Sequence, residues 1–246
     1  MCHAGEIFLF DVDGTLTPPR QTMTREFTPS FDRLATEEIV YIVSGSDIKK
    51  IREQVPESAL AKCQGIFGSS GNELWIDGVL VYGHEFAVPD SLLAQLKNWV
   101  IHSEYPDRRG KHVEYRPGML NFSTVGRRAS LADRRKYAQW DAESGERHRI
   151  ADNIRANHPG LQVAIGGEIS VDIYPAGWDK SQAVAYIKEH HPAIPINFFG
   201  DKTSKHGNDY SAVCALGETD RAFTVKDYKV TEKIINAFLE VKDDGR

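Results

Sequence analysis

Asp11-Val12-Asp13-Gly14-Thr15 sets two carboxylates one residue apart at the end of an apolar run, and two acids so spaced can divide one reaction. Asp11 can attack phosphorus and form an acyl phosphate, while Asp13 gives or takes the proton of the oxygen that leaves or arrives. Gly14 lets the chain turn so that both reach one phosphate. Alone, the pentapeptide would serve equally well as a turn or a cap. A carboxylate that attacks a phosphate also needs a cation beside it. Asp201, after Phe198-Phe199-Gly200, supplies a further oxygen ligand with Asp209 in reserve, and Mg2+ takes such ligands while keeping several waters. Ser44 and the amides of Gly45 and Ser46 can meet phosphate oxygens, and Lys180 can neutralise charge developing on the phosphate in transit. Each of these read singly is a turn, a cap or a solvated side chain. The weight lies in their combination.

The elements that must position them are visible as apolar runs. Ile7 to Phe10, Ile39 to Val43 and Ile196 to Phe199 are short and wholly apolar, as expected of strands buried on both faces of a parallel sheet, and each stops at one of the candidate residues. Ligand sites in open α/β sheets lie at those carboxyl ends. Helical spacing from Ile48 to about Val55 and from Val230 to Val241, with a last strand at Ala222 to Val225, completes an alternating pattern. The middle reads differently. Leu74-Trp75-Ile76 and Val79-Leu80-Val81 flank Asp77-Gly78, a two-residue hairpin signal. Leu92, Leu93, Leu96, Trp99 and Val100 recur at helical spacing after a cap at Asp90 or Ser91. Two further hairpins, His112–Tyr115 with Met119–Thr124 and Leu161–Ile165 with Ser170–Tyr174, enclose one polar helix over roughly 130–157. The expected fold is therefore α/β: a Rossmann-like parallel-sheet core of residues 1–83 and 178–246, with residues 84–177 inserted as an antiparallel α+β cap.

Composition narrows the function class. The chain has 246 residues, 41% hydrophobic and 26% charged, enough for a core domain with a smaller insert and free of any low-complexity signature. No apolar run approaches the roughly 18 residues of a membrane span, and the first strand lacks the basic flank of a signal peptide, so a cytoplasmic location is expected. Three widely separated cysteines, Cys2, Cys63 and Cys214, support neither a disulfide framework nor a metal site. A formal net charge of −5 argues against nucleic-acid binding. Residues 105–155 are the exception, with twelve Lys/Arg against seven Asp/Glu. A basic middle between acidic flanks suits an anionic ligand.

In order and context, Asp-x-Asp-Gly-Thr, a Ser after the second strand, a Lys, and Gly-Asp followed by Asn-Asp resemble the four motifs of the haloacid dehalogenase phosphotransferase superfamily. Longer stretches resemble one family within it, the eukaryotic-type α-phosphomannomutases: Phe10 to Pro18 with Arg20, Gly45-Ser46-Asp47, Glu114 to Asn121, Val125-Gly126-Arg127, Gly166 to Asp172, Gly177-Trp178-Asp179-Lys180, and Phe198 to Thr203 with Gly207-Asn208-Asp209. The similarity covers nearly the whole chain, cap included. It implies interconversion of mannose 6-phosphate and mannose 1-phosphate through a phospho-aspartate and a hexose 1,6-bisphosphate, with Asp11 as nucleophile and Asp13 as general acid/base. It implies that Arg20, Arg116, Arg127, Arg134, Ser170 and Asp172 hold the hexose phosphate, that Asp11, the Asp13 carbonyl and Asp201 bind Mg2+, and that two chains pair through the cap. Guanidinium forks grip phosphate bidentately, which accounts for the basic segment, and Ser170 and Asp172, two apart on a strand, face one side. A sugar-phosphate phosphatase shares every core motif and is the nearest rival, since it differs only in letting water reach phospho-Asp11. A catalytically silent sugar-phosphate-binding regulator is the rival from another class, and a retained nucleophile speaks against it.

Overall fold

In the computed structural model, which describes residues 5–205 and 207–244, Ile7–Phe10 forms strand β1 with all four side chains buried. Successive side chains leave a strand on opposite faces, so Phe8 and Phe10 enter one apolar cluster and Ile7 and Leu9 another. Burial on both faces demands a helical layer on each side. The chain continues through α1 (Thr28–Glu37), β2 (Ile39–Val43), α2 (Ile48–Gln54), α3 (Glu57–Leu60), β3 (Gly65–Gly68), a 3-10 turn at Ser69–Gly71, β4 (Glu73–Ile76) and β5 (Val79–Gly83). Asp77 and Gly78, joining β4 to β5, both have positive φ, which matches the right-handed strand twist of a tight hairpin.

A second unit follows over His84–Trp178. It holds α4 (Asp90–His102), β6 (Val113–Arg116), β7 (Met119–Phe122), α5 (Leu131–Ser144), α6 (Glu146–Asn157), β8 (Leu161–Gly166) and β9 (Ser170–Pro175). The first unit resumes at Asp179 with α7 (Ser181–His190), β10 (Ile196–Gly200), α8 (Tyr210–Ala215), β11 (Arg221–Thr224) and α9 (Tyr228–Asp244). Its sheet has the order β11-β10-β1-β2-β3-β4-β5. The first five are parallel and the β4–β5 hairpin adds antiparallel at one edge. Residues of α1, α2 and α9 pack on one face of the sheet and those of α7 and α8 on the other. The strand order reverses direction at β1, between β10 and β2, and the carboxyl ends of strands at such a reversal are where open α/β sheets place their ligand sites.

The second unit is a four-stranded antiparallel sheet, ordered β6-β7-β9-β8. Leu120, Phe122, Val163, Val171 and Ile173 point to one face, where Leu92 and Leu96 of α4 and Ile150 and Ile154 of α6 bury them. This is the alternation expected of a sheet covered on one side only.

Two local expectations are corrected. The polar helix over 130–157 is two helices, because Gly145 takes the left-handed conformation, φ 66°, and ends α5 before α6 begins. Such a residue closes helices commonly, since glycine has no Cβ to clash. Neither Asp90 nor Ser91 caps α4: Pro89 occupies the cap position and no side chain caps the helix, Asp90 being already in the first turn. At α2 the capping side chain is Asp47, which accepts from the Lys50 amide at 3.0 Å, so Ser44 is not spent on the helix. Among the described residues Cys63 and Cys214 are free thiols, and Cys2 lies outside the described residues. No helix among them is long and apolar enough to cross a membrane.

Candidate active site

Backbone pairing carries Asp11 one residue past β1, its amide still donating to the Phe199 carbonyl at 2.9 Å, and leaves the residue buried. Next to β1, β10 delivers Asp201 at the same sheet edge. Gly14 sits between them at φ 87°, and a Cβ there would lie 2.6 Å from Asp201 Oδ2. Only glycine allows that carboxylate so close. Lys180 arrives from the start of α7, where Asp179 Oδ1 accepts from both the amide and the hydroxyl of Ser181 and fixes the turn. Its ammonium is fully buried and donates to Asp11 Oδ1 at 2.5 Å and to Asp209 Oδ1 at 2.6 Å. Asp209 Oδ2 accepts from the Lys202 amide at 2.9 Å, while Lys202 Nζ pairs with Asp201 at 3.0 Å.

Asp11, Asp201 and Asp209 each offer an oxygen within 4.8 Å of one another. Burial pushes Asp11 up to about 7, against the pull of Lys180 and with further push from Asp209 and Asp201. Asp201 is raised as well, chiefly by burial. Lys180 is held above its usual range, because the attraction of Asp11 and Asp209 outweighs its own burial. Two carboxylates thus share a single buried ammonium, and burial with neighbouring negative charge holds Asp11 and Asp201 above the usual carboxylate range. An excess of hard oxygen donors at one point is the chemistry that a divalent cation fits. The Asp13 carbonyl accepts no hydrogen bond among the described residues, which leaves a neutral oxygen unspent two residues after Asp11.

Asp13 itself is gripped on one oxygen. Its Oδ1 accepts from the Arg20 amide at 2.7 Å and from Gln54 Nε2 at 2.8 Å. Arg20 therefore reaches the site by its main chain; its side chain is exposed and its guanidinium has no hydrogen bond among the described residues. Ser44 is buried, and its hydroxyl oxygen accepts from the Ser46 amide at 3.1 Å. That takes one of the donors expected to meet phosphate, leaving the Ser44 hydroxyl proton and the Gly45 amide.

In the second unit a polar row crosses the sheet. Glu114 on β6 pairs in register with Asn121 on β7, and Asn121 with Asp172 on β9, so the three side chains share a face, opposite the one filled by Leu120 and Val171. Arg116 and Ser170, each two residues away along its strand, project from it too. Glu114 Oε2 lies 2.8 Å from Arg116 Nη2 and 3.1 Å from Arg127 Nη2. Asn121 donates to Asp172 Oδ1, and the Ser170 hydroxyl to the Gly166 carbonyl at 2.8 Å. Arg134, on the first turn of α5, donates to the carbonyls of Ala129 and Arg127 at 3.0 and 3.1 Å. Burial lowers the Arg127 pKa despite Glu114, with Arg116 and Arg134 pushing the same way, and its Nε has no partner among the described residues. Arg127 thus keeps a buried donor to spare beside two further guanidinium groups, and such planar donors are suited to charge-assisted contacts with anions.

The structure thus brings Asp11, Lys180, Asp201 and Asp209 together in one unit and Arg116, Arg127, Arg134, Ser170 and Asp172 on one side of the other. Sequence reasoning missed Gln54, which sits in no motif, and gave no role to Glu114 and Asn121, although Glu114-x-Arg116 has the strand spacing that puts both on one face.

The fold has many solved counterparts. A trehalose-6-phosphate phosphatase related protein superposes with a TM-score of 0.60 at 19% identity, covering 98% of this chain and 100% of that one. A haloacid dehalogenase subclass IIB sugar phosphatase does so with a TM-score of 0.59 at 14% identity, covering 95% and 98%. At these identities the likeness establishes a haloacid dehalogenase-like fold alone. Sequence goes further. The phosphomannomutase of Triticum aestivum is 36% identical over 226 residues, 89% of this chain and 88% of that one, and that of Drosophila melanogaster is 32% identical over 252 aligned positions, 96% of each. The profile described as eukaryotic phosphomannomutase matches residues 27–241, a span that includes Lys180, Asp201, Asp209 and the whole polar row of the second unit, and on that match the chain belongs to the eukaryotic phosphomannomutase family.

Proposed function

We propose that the chain interconverts mannose 6-phosphate and mannose 1-phosphate by way of a phosphate ester on Asp11 and a hexose 1,6-bisphosphate. The observation that carries this reading is the clamp of Lys180 on Asp11 Oδ1 and Asp209 Oδ1, which leaves Asp11 Oδ2 without a hydrogen bond among the described residues and so available to attack. Asp11, the Asp13 carbonyl and Asp201 would hold Mg2+, with Asp209 completing the acidic set. Bound there, it supplies the positive charge that lets an anionic nucleophile approach an anionic phosphate.

The protein's own groups do the rest. Lys180 orients Asp11 and counters charge on the phosphate as it moves. Asp13 protonates the departing sugar oxygen in one half-reaction and deprotonates the attacking hydroxyl in the other. Arg116, Arg127 and Arg134 grip the phosphate that is not reacting, and Ser170 and Asp172 take sugar hydroxyls. Ser44, Gly45 and Arg20 belong to the phosphate-binding set by the same reading. Two phosphate grips serve a bisphosphate that must turn around between half-reactions, where a hydrolase needs one.

A homodimer through the second unit and a cytoplasmic location belong to this proposal. Exposed Ile101 and Leu131 are apolar side chains that such an interface would cover. The test is conversion of mannose 1-phosphate with and without a hexose 1,6-bisphosphate primer. Primed isomerisation supports the mutase, steady phosphate release supports a phosphatase, and binding with neither reaction leaves only a regulator.

A further inference from the structure

Asp13 must carry a proton in one half-reaction and accept it in the other, and its two oxygens are not equivalent. Oδ1 takes both hydrogen bonds that the carboxyl makes, from the Arg20 amide at 2.7 Å and from Gln54 Nε2 at 2.8 Å. Oδ2 has no hydrogen bond among the described residues. We propose that Gln54 is a positioning residue for phosphoryl transfer, which pins Asp13 by Oδ1 and so presents Oδ2 as the oxygen that exchanges the proton with the sugar. The proposal rests on the reading of Asp13 as general acid/base.

Gln54 is built for this. It is the last residue of α2 and 7% exposed, a poor place for a primary amide unless its donors are used. Its carbonyl oxygen on the main chain accepts from the Met23 amide at 2.7 Å, which anchors the helix end. The side chain's second contact is with Thr17 Oγ1 at 3.3 Å, and that hydroxyl spends its own proton on the Val12 carbonyl. Both neighbours therefore require a donor from Gln54, and the reversed amide would set oxygen against oxygen. The other grip on Oδ1 is imposed by the backbone. Arg20 has φ 60°, a conformation that residues other than glycine seldom adopt without need, and that turn aims its amide at Asp13.

A neutral amide suits a group that changes charge within each cycle. An N–H can donate to a carboxylate oxygen and equally to the carbonyl oxygen of the protonated acid, so Gln54 holds Asp13 in both halves. In the first, Asp11 bonds to phosphorus, the bond from phosphorus to the sugar oxygen breaks, and that oxygen takes the proton from Oδ2. In the second, a sugar hydroxyl bonds to phosphorus, its proton passes to Oδ2, and the bond from phosphorus to Asp11 breaks. Neither step requires Oδ1 to be released.

The test compares two phosphate donors in the full-length protein. Acetate leaves acetyl phosphate without needing a proton, whereas a sugar oxygen does not leave so freely. Gln54→Met keeps length and burial but removes the donor, and Gln54→Glu keeps the shape and serves if the Met variant folds poorly. Expected are a fall of about 10- to 100-fold in kcat for primed mannose 1-phosphate conversion with KM within about 2-fold, and labelling of Asp11 by acetyl phosphate within about 2-fold of wild type. Equal losses with both donors would make Gln54 merely structural and overturn the proposal, as would no loss with either. Asp13→Asn run alongside separates the levels. If it abolishes sugar transfer while Gln54→Met does not, the role of Gln54 falls alone; if it leaves sugar transfer intact, the acid/base reading of Asp13 falls with it.

Discussion

Lys180 donates to Asp11 at 2.5 Å in a site where the lysine side chain is 0% exposed and the aspartate 4%. An ammonium so enclosed is retained only because carboxylates surround it. Removing it leaves Asp11 and Asp209 buried without their cation. Lys180→Met should lower stability by about 3–5 kcal/mol, read as a fall in Tm without added metal, and millimolar Mg2+ should recover part of the loss. Turnover of sugar phosphate and labelling by acetyl phosphate should both fail, since the charge serves the phosphate in transit whichever donor brings it. A Tm within a degree of wild type would mean that the ammonium is not holding the acidic set together.

Asp11→Asn should fold and lose turnover. The amide has the shape of the carboxyl but cannot attack phosphorus. Because burial already holds Asp11 up to about 7, the neutral amide costs the fold little, so Tm should be kept while activity drops by at least about a thousandfold. A tenth of the wild-type rate in a verified preparation would sink the covalent mechanism.

The same raised pKa makes cation binding depend on pH. A proton on Asp11 competes with the cation, and about 7 is where that proton is half lost. Mg2+ affinity, measured by titration calorimetry, should rise as pH climbs from about 6 and level off by about 8. The linked stability has the opposite slope. The folded pKa exceeds the usual 3.8, so Asp11 contributes stability in acid that is lost between about pH 4 and pH 7 as the unfolded state releases its proton first. Asp201→Ala should abolish Mg2+-dependent activity. Affinity flat across the whole range would show that no proton on Asp11 competes with the cation there.

What could be read from sequence, and what could not, follows from where the information resides. β1, β2 and β10 announce themselves because a strand buried on both faces must be apolar at every position, and Asp11 and Asp201 are conspicuous at their ends. The hairpin at Asp77-Gly78 is equally local. Gln54 is different: its meaning lies in a side chain reaching Asp13 across 41 residues, and nothing in its neighbours' types records that. Glu114 and Asn121 become a row with Asp172 only once register is known, because pairing partners are set by the sheet and not by spacing in the chain. The break at Gly145 was hidden by a helix pattern that is polar on nearly every side, which gives periodicity nothing to measure.

On the proposed function, the arginines of the second unit would carry the distinction between a mutase and a phosphatase, and their surroundings differ. Arg127 is 13% exposed in its side chain, with a buried Nε that lacks a partner among the described residues. Arg116 is 10% exposed in its side chain and already shares Glu114. Arg134 spends at least two donors on carbonyls of its own loop. If they bind the phosphate that is not reacting, each Arg→Ala change removes a charge-assisted contact worth about 1.5–3 kcal/mol, or roughly 10- to 150-fold in kcat/KM for hexose monophosphates. Arg127→Ala and Arg116→Ala should show this loss with little change in Tm, whereas Arg134→Ala should also lower Tm, because its guanidinium ties the start of α5 to the loop before it. Labelling of Asp11 by acetyl phosphate should survive in all three, since that reaction carries no second phosphate to hold. Should the three variants lose acetyl phosphate labelling in step with sugar transfer, the arginines would be supporting the chemistry itself, and the argument that this unit recognises a second phosphate would fail.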